Sequence, residues 1–145
     1  RSVQLVIAGD GPELPRLKQS AVALGIAAQV TFSGKISREQ VLEHMSESNV
    51  FVLSSRYETF GVVVIEALAL GLPVVATRCG GPETIVREQD GILVPVDDVE
   101  NLGLAMKSIY ENYDQYDAAE IRSACRVRYS EQAIANRLMT AYEEA

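Results

Sequence analysis

Five short runs of β-branched and other apolar residues recur along the chain, separated by segments with helical patterns. The runs are 3–8, Gln29-Val30-Thr31-Phe32-Ser33, Asn49-Val50-Phe51-Val52-Leu53, Pro73-Val74-Val75-Ala76-Thr77 and Ile92-Leu93-Val94-Pro95. Each is nearly continuous in hydrophobicity, which is how strands covered on both faces read. Between them, Leu14, Leu17, Ala21 and Leu24 fall at helical spacing, with Pro12 placed for the first turn and Gly25 for the end. Ser37-x-x-Gln40 is a capping-box signature ahead of Val41, Leu42 and Met45. Asp97 or Asp98 can cap a helix bearing Val99, Leu102, Met106 and Ile109, and Ser130 one bearing Ile134, Leu138, Ala141 and Tyr142. Strand and helix alternate to about residue 112, after which only helix remains. This order predicts an α/β fold: a parallel sheet with helices on both faces, joined by right-handed crossovers.

The 145 residues fit one domain, 1–145, that buries roughly two-thirds of the surface of the unfolded chain. Twenty acidic against thirteen basic residues give a net charge of −7, with no basic cluster. Nucleic acid is therefore not an expected partner, because phosphate neutralisation needs a basic patch. No apolar run reaches the roughly 18 residues of a membrane span, and the start Arg1-Ser2 is not a signal peptide. Cys79 and Cys125 lie far apart and match no metal-ligand spacing, so a reduced, cytoplasmic protein is expected. With no initiator Met and a strand-like run beginning at Val3, the sequence reads as a piece of a longer protein.

The segment 54–75 is apolar except for its first few residues and Glu66. Val62-Val63-Val64-Ile65 suits a strand by propensity alone. Ala67-Leu68-Ala69-Leu70 is strongly helix-forming, however, Gly71 suits a left-handed cap, and Pro73 precedes the next strand. A helix from about Gly61 to Leu70 also supplies the crossover that parallel strands at 50–53 and 73–77 require. Such a helix is mostly buried, so Glu66 must find a hydrogen-bond partner or face a cleft. Residues 54–61 follow a strand at its carboxyl end, where open parallel sheets bind ligands. Gly61 at the helix start leaves backbone N–H groups open to an anion. An anion cradle flanked by two acids, Glu58 and Glu66, suits a ligand that combines a pyrophosphate with sugar hydroxyls.

Glu58 and Glu66 stand as Glu-x7-Glu within Glu-Thr-Phe-Gly…Ile-Glu-Ala-Leu-Ala-Leu-Gly-Leu-Pro-Val-Val. This resembles the C-terminal, donor-binding half of the retaining glycosyltransferases that include glycogen synthases, sucrose synthases and bacterial mannosyltransferases. Their GT-B architecture sets two Rossmann-like domains across a cleft. The similarity extends through Ile7-Ala8-Gly9-Asp10-Gly11-Pro12, Phe32-Ser33-Gly34-Lys35, Gly80-Gly81-Pro82-Glu83 and Asp90-Gly91-Ile92-Leu93-Val94-Pro95. The resemblance implies that Glu58, as the catalytic residue, contacts donor-sugar hydroxyls, with the backbone of Phe60, Gly61, Val62 and Val63 near sugar and diphosphate. It implies that Glu66 takes the ribose hydroxyls, that the backbone at Lys35 and Ile36 lies against the base, and that Gly9 and Gly11 keep the cleft mouth open. The implied donor is a UDP-, GDP- or ADP-sugar, and no cofactor or obligatory metal is implied. The resemblance also implies that a sugar, lipid or other acceptor binds through an N-terminal domain absent from this chain. The family's phosphate-binding Arg and Lys lie upstream of Arg1, so the fragment alone is not expected to turn over.

Other readings are weaker. Gly9-Asp10-Gly11 begins like a dinucleotide fingerprint, but position 14 is Leu, and no acid ends the strand at 30–33. No G-x-S-x-G occurs, and His44, the only histidine, reads as a surface or boundary residue. Asp97-Asp98 reads as a helix cap rather than a metal site, Gly80-Gly81 as a turn whose place after strand 73–77 also puts it beside the cleft, and Arg56 as an exposed loop arginine. A nucleotide-sugar-binding module without transfer activity, or an epimerase of similar two-domain architecture, is the alternative. The intact Glu-x7-Glu pair favours the transferase.

Overall fold

Each of the five apolar runs contributes a parallel strand in a computed structural model of the chain, which describes residues 3–143. The strands are β1 (Leu5–Ala8), β2 (Val30–Gly34), β3 (Phe51–Leu53), β4 (Val74–Thr77) and β5 (Gly91–Val94). They form two sheets rather than the single one expected, β1-β2 and β3-β4-β5. Hydrophobic runs identify strands but carry no record of which neighbour each one bonds. The chain divides into two compact units, the first ending at Glu47 and the second beginning at Ser48.

In the first unit, Leu5 pairs with Val30 and Ile7 with Phe32. Leu5 and Ile7 are half-buried while Val6 is 41% exposed, so β1 is covered on one face only. The expectation of cover on both faces fails here because alternate side chains of a strand point to opposite sides, and among the described residues the Val6 side is only partly covered. Helix α1 (Leu14–Ala23) has Pro15, not Pro12, in its first turn. It ends in a Schellman pair, Gly25 N to Val22 O at 3.0 Å and Ile26 N to Ala21 O at 3.0 Å, with Gly25 at φ 70°. Helix α2 (Arg38–Ser46) starts with the expected capping box: Gln40 N donates to Ser37 Oγ at 3.3 Å and Ser37 N to Gln40 Oε1 at 2.9 Å. His44 is half-buried at this boundary, its Nε2 3.4 Å from Ser33 Oγ.

In the second unit β4 lies between β3 and β5, and all four of its residues are buried. Val75, Val94, Ala105 and Ile109 form one core cluster, with helix α5 (Val99–Glu111) packed on β4 and β5. Helix α3 (Val62–Ala69) contacts β3 and β4 and buries Val64, Ala67 and Leu68. Helix α6 (Ala118–Tyr129) packs against α3 and buries Ile121 and Cys125, whose Sγ lies 3.5 Å from Ile65 O. Full burial of each such aliphatic side chain stabilises by about 1.5–3 kcal/mol. Gly71 takes the left-handed cap foreseen for it, at φ 82°, and a Cβ there would stand 2.6 Å from Ala118 O. A short helix, α4 (Gly81–Ile85), follows β4, and α7 (Glu131–Glu143) starts at Ser130, whose Oγ accepts from Ala133 N at 3.2 Å.

One buried carboxylate ties these elements together. Asp90 is fully buried, and both its oxygens accept bonds from Arg87, Nε to Oδ2 at 2.9 Å and NH2 to Oδ1 at 2.7 Å. The Arg87 amide adds a third bond, to Oδ2 at 3.2 Å, and Arg128 of α6 a fourth at 3.1 Å. Burial pushes this carboxyl upward, but the bonds from Arg87 and the two cationic neighbours outweigh it and hold it below the ordinary value. Both cysteines are buried and free, and burial raises the Cys125 thiol. Among the described residues no helix is long and apolar enough to cross a membrane.

Candidate functional site

The loop after β3 turns sharply into α3 at Gly61, which adopts φ 84° and ψ 41°. Its carbonyl accepts from Val64 N at 2.9 Å and Ile65 N at 3.3 Å, and helix geometry leaves the Val62 and Val63 amides without intrahelical acceptors. The Gly61 amide itself donates to Glu58 Oε1 at 3.3 Å. Glu58 therefore folds back over the positive end of α3, a favourable place for a carboxylate. A side chain at position 61 would meet Ile85 Cδ1 at 3.3 Å on top of the strain of positive φ. Glu66 lies within α3, half-buried at the border of the Val64–Ala67–Leu68 face. The helix is less covered than expected: Val62 is 53% exposed and Ala69 is also exposed, so Glu66 is not enclosed. Tyr57 and Phe60, on either side of Glu58, are exposed.

A second segment holds this loop in shape. The Thr77 hydroxyl at the end of β4 donates to Ser55 O and lies 3.4 Å from Leu53 O. Farther along, Glu58 N donates to Cys79 O and Gly81 N to Glu58 O, both at 2.9 Å, making an isolated parallel bridge between Glu58 and Gly80. Gly80-Gly81, read from the sequence as a turn, instead opens α4, with Gly80 N donating to Glu83 Oε1 at 3.3 Å. The signal was present in Pro82 and Glu83, a first-turn proline and an acid at the third helical position.

Arg56 is engaged as well as exposed. Its Nε donates to Asp97 Oδ1 at 2.7 Å, linking the loop after β3 to the loop after β5, and this bond raises the guanidinium further. Asp98 is the helix cap, accepting from Asn101 N at 2.9 Å, and its carboxyl is lowered first by the Asn101 side chain and then by that amide. The adjacent acids thus have separate partners. Among the described residues no group of three or more His, Cys, Asp or Glu side chains is placed to hold a metal.

Of the residues singled out from the sequence, Glu58, Phe60, Gly61, Val62, Val63 and Glu66 come together on this loop and helix of the second unit. Gly9, Gly11, Lys35 and Ile36 belong to the first unit. There Gly9 N donates to Gly34 O at 2.8 Å, which sets it beside the exposed Lys35 and half-buried Ile36 at the carboxyl end of the β1-β2 pair. Gly11 follows at the approach to α1, its amide bound to Asp10 Oδ1 at 2.8 Å. Open space lies where a Cβ would stand at Gly9 or Gly11. The residue that sequence reasoning missed is Asp90, quoted as part of a motif but given no role.

Comparison with known proteins gives the family and the fold. The family model described as "Glycosyl transferases group 1" matches residues 1–126. The chain is 33% identical over 141 residues to N-acetyl-alpha-D-glucosaminyl L-malate synthase of Bacillus anthracis, covering 97% of this chain and 36% of that protein. It is 38% identical over 124 residues to a GDP-mannose-dependent alpha-mannosyltransferase of Mycobacterium tuberculosis, covering 84% and 31%. The chain thus spans about a third of the length of the curated relatives it matches. Among solved structures, sucrose-phosphate synthase of Thermosynechococcus elongatus superposes with a TM-score of 0.82 at 30% identity, over 97% of this chain and 38% of that one. Anabaena HepE in complex with UDP superposes with a TM-score of 0.85 at 23% identity, over 99% and 41%. With a parallel α/β fold, the Glu-x7-Glu turn and a family match over most of its length, the chain belongs to the group 1 glycosyltransferases.

Proposed function

We propose that this chain is the donor-binding part of a retaining GT-B glycosyltransferase, which transfers a hexosyl group from a nucleoside-diphosphate sugar to an acceptor. The observation that carries the reading is the turn at Gly61, where a carboxylate and the free amides of Val62 and Val63 share one helix start. A diphosphate has affinity for such amides, and sugar hydroxyls have affinity for a carboxylate. Glu58 binds the sugar, the backbone from Phe60 to Val63 receives the diphosphate, and Glu66 takes the ribose hydroxyls. In the first unit the backbone of Lys35 and Ile36 meets the base, and Gly9 and Gly11 leave room for ligand. The relative named for GDP-mannose and the structure bearing UDP both support a nucleotide-linked donor. As a diphosphate departs, negative charge develops on it, and the start of α3 stabilises that charge without reorganising. No metal is needed in this scheme. The acceptor binds to a further, N-terminal domain, and the reaction takes place in the cytoplasm.

Titrating the chain with UDP, GDP and ADP while following backbone amide resonances tests the reading. Shifts at Gly61, Val62, Val63 and Glu66 with one nucleotide are the expected result. At about 10 mM a ligand with a Kd of 1 mM is roughly nine-tenths bound, so flat spectra with all three overturn donor binding by this chain.

A further inference from the structure

We infer that the segment from Thr77 to Gly81 is a template that sets the conformation of the Glu58 loop, and that Thr77 and Gly81 are positioning residues for the donor sugar. The inference rests on the donor-binding reading for its link to the sugar, but on geometry alone for the template.

The loop from Ser54 to Gly61 has little to hold it from within. Its residues are exposed or half-buried apart from Gly61, and among the described residues its one internal side-chain tether is the Glu58 carboxylate on the Gly61 amide. The remaining hydrogen-bonded fixed points are supplied from outside, and among the described residues, apart from the exposed Arg56–Asp97 pair, they come from one stretch. Thr77, itself buried, fastens the start of the loop through Ser55 O. Cys79 O and the Gly81 amide clasp the Glu58 backbone from both sides, so its peptide groups cannot rotate without losing a bond. Gly81 permits this approach: a Cβ there would stand 2.3 Å from Phe60 O and 3.0 Å from Gly61 N, which no side chain tolerates. Gly80 is equally confined, its Cβ position 2.6 Å from Glu58 O. The clasped residues are those from which the Glu58 carboxylate and the first α3 amides project. Moving this backbone by an ångström would misplace both, and sites of this kind depend on a supporting shell that fixes them.

The test uses Thr77→Val, which keeps the shape and removes the hydroxyl, Thr77→Ser, which restores it, and Gly81→Ala. Amide hydrogen exchange without ligand reads the loop at Glu58, Gly61 and Gly81 and the core at Val75 and Ile109. Binding of UDP-glucose against UDP, and of GDP-mannose against GDP, reads the sugar contribution. The expected result for Thr77→Val is faster exchange at the loop amides with core amides unchanged, and about a tenfold loss of affinity for the sugar nucleotide with less than a twofold loss for the bare diphosphate. Thr77→Ser restores both. Gly81→Ala moves in the same direction and further; if it does not fold, the threonine pair decides. Unchanged loop exchange in Thr77→Val overturns the template, and a loosened loop with an unchanged affinity ratio overturns its role toward the sugar. Wild-type protein that binds none of these nucleotides overturns the donor reading instead, and the exchange data alone then decide the template.

Discussion

Arg128 donates to Asp90 Oδ2 at 3.1 Å and to Ile85 O at 2.7 Å, so a single side chain of α6 fastens the end of α4 to the start of β5. Together with Arg87 it compensates a carboxylate that has no access to water. Removing that negative charge leaves two guanidinium groups facing each other across a buried site. Asp90→Asn is expected to destabilise the protein by about 3 kcal/mol, the lower end for a broken buried pair because both arginines keep some exposure. Thermal unfolding should show a fall in Tm of roughly 10 °C.

The same carboxylate sets an acid limit. Its folded value lies below the ordinary 3.8, so the folded state binds the proton less readily than the unfolded chain. The stabilisation is complete above about pH 5 and is lost as pH falls through 3.8 toward the depressed folded value. Urea midpoints measured between pH 6 and pH 3 should decline in this window, and Asp90→Asn should show a shallower decline than the wild type.

Gly71 marks the closest approach of α3 and α6. Gly71→Ala combines a left-handed backbone, which costs about 1–2 kcal/mol for a residue with a Cβ, with a forced separation from Ala118 O. A loss of about 3 kcal/mol in denaturant unfolding is expected once overpacking is added.

The proposed ribose contact of Glu66 predicts a selective defect. Glu66→Gln should weaken binding of the preferred nucleotide about tenfold, the value of one charge-assisted hydrogen bond, while leaving affinity for the 2′,3′-dideoxy analogue nearly unchanged. Calorimetry on the pair of ligands measures the difference. Equal losses on both would remove the ribose role from Glu66.

At the other unit, Ser37→Ala deletes one half of the α2 capping box. It should cost about 1 kcal/mol, and hydrogen exchange should place the loss in α2 rather than in the core around Val75.

Local chemistry was legible where it is decided locally. Gly71 and Pro73 fixed the helical reading of a valine-rich stretch that propensity would have made a strand, and Ser37, Asp98 and Ser130 cap the helices their spacing announced. The five-residue α4 was read as a turn because it is too short to show a period, and only its proline and glutamate marked it. Pro15 displaced Pro12 because either can begin a helix and the choice depends on where the preceding loop ends. The division of strands into two sheets and the Arg87–Asp90–Arg128 cluster were not legible. Both depend on which segments meet in space, and Arg128 lies 38 residues from Asp90. Of the site, the Glu58–Gly61 turn was visible as a motif and Gly80-Gly81 as a turn beside the cleft, while the bonds and close approaches by which these glycines shape the loop were not.

All of the strand pairings are parallel: Leu5 with Val30, Phe51 with Val74, and Val74 with Gly91. None can start as a tight hairpin, so each must close a loop on the order of 20 residues before its first bond forms. That entropy is spent before any contact rewards it, which slows folding relative to a helical bundle of equal length. Each closure nevertheless stays inside its own unit. A nascent chain can therefore complete the β1-β2 pair once Gly34 has emerged, and β3 then waits for α3 to bring β4 to it. For this protein the order of synthesis is also the order in which the pairings can form.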